Sequence, residues 1–214
     1  STLLHRFPKL DDAIVAASAL RDSRIQPLAL EVTGAKLEGP WTVAVRLEGR
    51  LQSVKLLVAD AKALIGEEAA VLTADESRLW WSDYTRSQSI SHGVTDVFLR
   101  CASRPSATAA MTRGVRLVVA NFGEFIRCDI SPGLGTLLVR VDLGKSGGME
   151  TLSLLRDMLL SCAERVTVLA APDAWKTGLD VWGPPPPGLD VMRSLKEEFD
   201  PRRVLNPGRF AGFL

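Results

Sequence analysis

The sequence predicts an α+β protein in which one order of elements, β-α-β-β-α-β, occurs twice. Strands are marked by alternating apolar and polar residues, and helices by apolar stripes at helical spacing. The first copy covers residues 3–74 and the second covers 96–170. The repeat rests on element order, not on identity between the halves. We therefore expect two ferredoxin-like units that form one large antiparallel sheet with helices on one face, plus an irregular C-terminal extension over 172–214.

The first unit is defined by four strands and two helices. Alternation such as Leu28, Leu30 and Val32 with polar neighbours indicates half-buried strands. The expected strands are 3–7, 27–33, 42–48 and 70–73. Two apolar stripes predict the helices, namely Leu10, Ile14, Ala17 and Leu20, then Leu51, Val54, Val58, Ala61 and Ile65. Asp11 is the expected N-cap of the first helix, and Gly66 ends the second.

A linking helix and a loop separate the two units. Asp75 is the expected N-cap of the linking helix, which runs through Tyr84, and the polar stretch 87–93 is the expected loop. In the second unit, strands are expected at 96–101, 136–142 and 166–170, with extended segments at 116–120 and 124–130. Helices are expected at 106–113 and along the stripe from Met149 to Cys162, and a final amphipathic helix runs from Leu189 to Phe199.

Composition excludes several function classes. The 214 residues carry a net charge of +1, which argues against a nucleic-acid-binding protein because such proteins need a basic face. The three cysteines form no metal-ligand spacing and suit a reducing, cytoplasmic compartment. No apolar run reaches the roughly 20 residues that span a bilayer. We expect no metal site.

Common catalytic motifs are absent from the chain. Gly144-Lys145-Ser146 lacks the glycine that a phosphate-binding loop needs at position 139, and Gly133-Leu134-Gly135 lacks the third glycine of a dinucleotide fingerprint. His5 and His92 stand alone, so no catalytic residue is assigned. Trp80, Trp81 and Tyr84 could line a ligand pocket. We favour instead one tryptophan in the core and the other at a subunit or domain contact.

The C-terminal segment contains the most specific pattern. A helix with Met192, Leu195 and Lys196 is followed by the stop Phe199-Asp200-Pro201 and then by Asn206-Pro207-Gly208-Arg209. This ending resembles the vanillyl-alcohol-oxidase type of FAD-linked oxidoreductases. The stretch from Asp180 to Phe210 is most similar to the FAD-binding (E) subunit of bacterial glycolate oxidase.

The resemblance implies that the chain is a cap domain over a flavin. The implied reaction transfers a hydride from the α-carbon of a 2-hydroxy acid such as glycolate to FAD. The resemblance places Asn206, Pro207, Gly208 and Arg209 at the cofactor. FAD itself would be bound by an N-terminal flavin domain that this chain lacks, and the initial Ser1 agrees with a longer parent protein. The chain would not be catalytic alone.

The same resemblance implies partners. They are the chain's own N-terminal FAD domain, a related flavin subunit and an iron–sulfur subunit, with peripheral attachment to the inner membrane through them. A docking face with exposed aromatic side chains such as Trp175 and Trp182 is expected.

One departure of this sequence from the family pattern favours an accessory flavin subunit over the principal catalytic subunit. The paired histidines and the Gly-Glu-His-Gly type of motif found in catalytic subunits of such oxidases are missing. Two alternatives stay open. One is a non-catalytic ferredoxin-like module for ligand binding or subunit assembly, and the other is a complete enzyme whose site is built from distant residues.

Overall fold

The computed structural model describes residues 1–36, 38–88 and 94–213, without the side chain of Phe213. Within these ranges the strands are β1 Thr2–Phe7, β2 Ala29–Gly34, β3 Trp41–Arg46, β4 Ala70–Leu72, β5 Asp96–Ala102, β6 Glu124–Ser131, β7 Thr136–Asp142 and β8 Arg165–Ala170. The α-helices are α1 Leu10–Asp22, α2 Leu51–Ile65, α3 Ala74–Ser87, α4 Thr108–Val119, α5 Met149–Leu159, α6 Asp173–Lys176 and α7 Leu189–Phe199.

Eight strands of the described residues form one antiparallel sheet. Their order is β4-β1-β3-β2-β6-β7-β5-β8, so each unit contributes four adjacent strands with the same internal order. The units join where β2 pairs with β6, with Val32 opposite Ile130 and Thr33 opposite Asp129. This confirms the predicted α+β fold of two ferredoxin-like units and a C-terminal extension.

The core lies between the sheet and helices α1, α2, α4 and α5. Alternation along the strands sends residues such as Leu3, Trp41 and Val139 into this layer, where each is almost completely buried. The helices contribute the stripes that the sequence predicted, including Ala61 and Ile65 of α2. These four helices share one face of the sheet, as expected.

The linking helix α3 lies on the opposite face. Trp81 Nε1 donates to Thr2 Oγ1 at 2.9 Å, and the Tyr84 hydroxyl donates to Glu31 Oε2 at 2.9 Å. Thr2 and Glu31 belong to the alternate, polar positions of β1 and β2. The helix therefore covers part of a polar sheet surface and makes hydrogen bonds instead of an apolar core.

Three local predictions are wrong. Residues 116–120, expected to be extended, belong to α4 up to Val119, because Met111, Val115 and Val119 bury a helical stripe that outweighs the strand preference of valine. Helix α1 starts at Leu10 with Lys9 as N-cap, so Asp11 lies inside its first turn. In α3 the N-cap is Thr73 rather than Asp75. Thr73 forms a capping box with Glu76, which satisfies two backbone donors at once. Residues 89–93, including His92, lie outside the described residues.

Candidate functional site

The chain after β8 returns along the outer edge of the sheet before it reaches α7. Val168 N donates to Val181 O at 2.8 Å, which extends the hydrogen bonding of β8. Trp182 then lies 6.1 Å from Phe210, measured between ring centroids. The irregular excursion and the tail therefore pack together at this end of the molecule.

Asp200 organises the turn that follows α7. Its carboxylate accepts from Val204 N at 2.9 Å and Leu205 N at 3.0 Å, and it pairs with Lys196 Nζ at 2.5 Å. The hydrogen bond from Lys196 is the main reason that the pKa of Asp200 falls to about 2, and the backbone donors lower it further. Lys196 also donates to Leu205 O at 2.6 Å. The stop seen in the sequence at Pro201 is thus supported by a charged carboxylate that closes the turn.

The four predicted cofactor-binding residues follow this turn directly. Asn206 and Gly208 have φ values of 46° and 70°, in the left-handed region that asparagine tolerates and glycine adopts without strain. Arg209 N donates to Asn206 O at 3.1 Å, which closes a tight turn around Pro207. All four residues are exposed. Asn206 and Arg209 line an open cleft of about 500 Å³ with Met192, Leu195 and Phe210.

A large apolar surface surrounds this turn. We define the C-terminal surface as the exposed side chains of Val191, Leu195, Phe199, Val204, Leu205 and Phe210, whose exposures run from 52% to 79%. No residue of α7 is buried, although its sequence is strongly amphipathic. An apolar patch of this kind marks an interaction site.

An exposed apolar surface is therefore present, but the two tryptophans expected on a docking face are not fully exposed. Trp175 packs against the core and covers Gly147, where a Cβ would collide with its ring. It was wrongly predicted to be exposed, because the proline-rich context hid its contact with α5. Trp182 is half-buried beside Phe210.

Comparison with known families singles out the same segment. Residues 184–210 match the family of FAD linked oxidases, C-terminal domain. The FAD-linked oxidase match covers α7, the Asp200 turn and Asn206 to Arg209. It supports the C-terminal domain of an FAD-linked oxidase, as the motif predicted. No curated protein matches the chain.

A second site lies on the polar face of the sheet, where the two units meet. An open cleft of about 590 Å³ is bordered by β1, β2, β3, α3 and β6. Its charged and aromatic lining consists of Arg6, Lys36, Trp80, Asp83, Tyr84 and Arg127. We call this the junction cleft. It is separated from β8 and the C-terminal segment by β7 and β5, so the structure does not bring Asn206 to Arg209 into it.

Arg127, which lines the junction cleft, forms an ion pair with the buried Asp129. Arg127 Nε and Nη2 contact the two carboxylate oxygens of Asp129 at 2.8 and 2.9 Å, and Thr33 Oγ1 donates to Asp129 at 2.5 Å. The side chain of Asp129 is 4% exposed. Because both partners are hydrogen-bonded, this pair fixes the guanidinium in one orientation.

Glu31 forms a second polar cluster at the same junction. Its Oε2 accepts from Tyr84 at 2.9 Å and from Ser131 at 2.7 Å. Burial raises the pKa of Glu31 to about 7 and the nearby Asp129 adds to the shift, while the two hydrogen bonds oppose it. A carboxyl group that titrates near neutrality suits proton exchange. Glu31 was not among the residues predicted from the sequence, although a glutamate in an alternating strand was the available signal.

The aromatic residues of α3 line this region as well. Trp80 stacks on Tyr84 with ring centroids 5.3 Å apart and planes 8° apart. Trp80 and Trp81 are both half-buried, so the expected division into one core and one contact residue is wrong. The polar sheet face under α3 explains this, since it offers hydrogen-bond partners and little apolar depth.

Other potentially reactive groups lie in packed surroundings. Burial raises the pKa of Cys101 and of Cys128, so both thiols stay protonated and inert. His5 lies in β1 against the ring of Phe7. Among the residues that the structure describes, no group of three His, Cys, Asp or Glu could hold a metal ion. No helix in that part of the chain is long and apolar enough to cross a membrane.

Proposed function

We propose that this chain is the cap domain of an FAD-dependent oxidoreductase that acts on a 2-hydroxy acid such as glycolate, and that it docks onto a flavin domain through the C-terminal surface. The observation that carries the proposal is that the segment matching FAD linked oxidases presents a rigid turn inside an uncovered apolar patch. Within this class we propose the FAD-binding subunit of glycolate oxidase as the functional type. Residues 1–214 form one cap domain, with pseudo-repeats at 3–74 and 96–170.

Helix α7 is the main reason to expect docking onto a second domain. A helix of eleven residues is too short to be stable by itself in water, and none of the residues of this one is fully buried. Contact with a second domain would cover Leu195 and Phe199 and remove the cost of exposing them. Aromatic anchors surrounded by polar residues, as at Phe199 and Phe210, are typical of interface centres.

Asn206 to Arg209 are the proposed flavin-side residues. The two left-handed positions, Asn206 and Gly208, turn the chain within the C-terminal surface, and Arg209 lines the cleft at this turn. A guanidinium offers several donors in a fixed fork and suits a phosphate of the cofactor. FAD would supply the hydride acceptor. The chain would position the flavin and exclude water, without a catalytic residue of its own.

The wider assembly is part of the proposal. A related flavin subunit and an iron–sulfur subunit would receive the electrons, in the cytoplasm or peripherally at the inner membrane. The absence of the Gly-Glu-His-Gly type of motif favours an accessory role for this subunit.

Docking can be tested with a flavin domain from an FAD-linked oxidase encoded beside this chain. The two are co-expressed, and the visible flavin spectrum and the co-purified domain are measured. Phe199→Ser removes the most exposed aromatic anchor, and Leu117→Ser is the matched control, since Leu117 is 70% exposed on α4. We expect the Phe199 variant to lose at least about tenfold in affinity, as central interface residues do. Equal binding by both variants, or no flavin in the wild-type complex, would refute the proposal.

A second candidate function is a ligand-binding module without redox chemistry. The junction cleft favours it, because residues of both units line one open cavity far from the C-terminal surface. In that case the isolated chain would bind a small molecule and no flavin domain.

A further inference from the structure

The junction cleft combines a flat aromatic wall with a concentration of positive charge. Trp80 and Tyr84 form the wall, and Arg6, Lys36 and Arg127 supply three cations. We propose that this cleft binds a planar anion, namely an aromatic ring that carries a carboxylate or a phosphate group. The inference does not rest on the proposed oxidase function, since the cleft lies apart from the segment that matches FAD linked oxidases.

The aromatic wall is suited to a stacked ring. Trp80 lies parallel to Tyr84 and stacks on it, so this contact uses one face of the Trp80 ring. Trp80 stays half-buried and lines the cleft, which leaves part of its surface available to a ligand. Offset stacking of a further ring on such a surface is favourable beyond the area that it buries.

The anionic group of the ligand is recognised by Arg127, whose side chain is already held in place. Arg127 uses Nε and Nη2 for Asp129, and Nη2 also contacts Thr33 Oγ1 at 2.9 Å. Among the described residues its Nη1 has no acceptor, and Arg127 is one of the residues that line the cleft. Because the side chain is fixed before binding, little conformational entropy is lost when the anion arrives.

The remaining charges in the cleft leave it positive. Asp129 neutralises Arg127, and Asp83 is engaged by Arg86 at 2.9 Å. Arg6 is exposed on β1, and its guanidinium makes no ion pair with a described residue. Arg6 and Lys36 therefore stand as the uncompensated charges that select an anion over a neutral ring.

The size of the cleft argues for a ring rather than a small acid. About 590 Å³ falls in the range of pockets that enclose drug-sized molecules, and an ion as small as acetate would leave most of it to water. The aromatic wall and the cations together predict selectivity for molecules that carry both a ring and a negative charge.

The proposal is tested by calorimetric titration of the 214-residue chain. Benzoate and phenyl phosphate are the probes, and they distinguish a carboxylate from a phosphate ligand. Acetate and inorganic phosphate carry the charge without the ring, and benzyl alcohol carries the ring without the charge. We expect a Kd of about 1 mM or tighter for one aromatic anion, and at least about tenfold weaker binding of the three controls. Added salt should weaken the binding.

Two variants locate the site. Arg6→Gln removes one uncompensated cation, and Trp80→Leu removes the stacking surface. Each should weaken the aromatic anion about tenfold, while Arg100→Gln, an exposed arginine on the same sheet face outside the cleft, should leave binding unchanged. Thermal unfolding checks that each variant is folded. Absence of saturable binding to the wild-type chain, or binding that Arg6→Gln and Trp80→Leu do not alter, would overturn the proposal.

Discussion

Replacing Glu31 with glutamine is expected to stabilise the protein above neutral pH and to change little in acid. In the folded protein the pKa of Glu31 is about 7, against an ordinary value of 4.5, chiefly because the side chain is buried. Between these two pH values the folded chain holds one proton more than the unfolded chain. Stability therefore falls as the pH rises from about 4.5 to 7 and stays reduced above that.

The size of the stabilisation follows from the shift in the pKa of Glu31. A difference of roughly 2.5 pH units corresponds to about 3 kcal/mol at most. Glu31 is partly accessible to solvent, so we expect a gain of about 1–3 kcal/mol for Glu31→Gln at pH 8.5. The glutamine carbonyl oxygen can still accept from Tyr84 and Ser131, as Glu31 Oε2 does. For a chain of this length, each kcal/mol raises Tm by about 2–4 °C.

Urea unfolding of wild type and variant at pH 5 and pH 8.5 measures the effect. The quantity of interest is the free-energy difference between the two proteins at each pH, because other groups also titrate. Glu68→Gln is the matched control, since Glu68 is exposed and should give the same difference at both pH values. A Glu31 variant whose advantage does not grow with pH would show that this carboxyl is not held protonated in the fold.

Three further changes test other contacts. Arg127→Met leaves the buried Asp129 without its cation and should lower the free energy of unfolding by roughly 3–5 kcal/mol in urea. Asp200→Ala removes the acceptor that closes the turn after α7, so limited proteolysis should cut the tail faster while thermal unfolding of the core hardly changes. Gly147→Ala places a methyl group against the ring of Trp175 and should cost about 1–3 kcal/mol, with altered tryptophan fluorescence.

Each of these expectations has a clear contrary outcome. For Arg127→Met, the double variant that also carries Asp129→Asn should recover part of the loss, and no recovery would mean that the buried charge is not the cause. For Asp200, the asparagine variant keeps some acceptor capacity and should be cut at an intermediate rate. Because the pKa of Asp200 is lowered, its contribution holds above the ordinary aspartate range and is lost as the pH falls towards 2. Unchanged fluorescence in Gly147→Ala would contradict the packing of Trp175.

Local patterns were sufficient to predict most of the fold. Strands such as β2 and β7 alternate cleanly, because one face meets the core and the other meets polar groups. Helix α4 was missed over 116–119 because its valines favour strands locally. The burial of Met111 and Val115 on the same helix face outweighs that preference. A short window of sequence does not contain these tertiary contacts, so it could not predict that these residues form a helix.

The two candidate sites also differ in how far apart in the sequence their contacting residues lie. The C-terminal segment was predictable because its turn is built from neighbours, with Asp200 bound to residues four and five positions away. The junction cleft was not, since Thr33 and Arg127 are 94 positions apart and Glu31 and Ser131 are 100 apart. Only the pairing of β2 with β6 brings these polar residues together.

The pairing of β2 with β6 joins the two units into one sheet. These are the equivalent second strands of the two units, and they run antiparallel, so each unit relates to the other by an approximate twofold rotation. A fragment that contained only the first unit would expose the backbone donors and acceptors of Val32 to Gly34 along an open sheet edge. Unpaired edges of this kind recruit further strands. Such a fragment would form a homodimer through β2, replacing the missing half with a copy of itself.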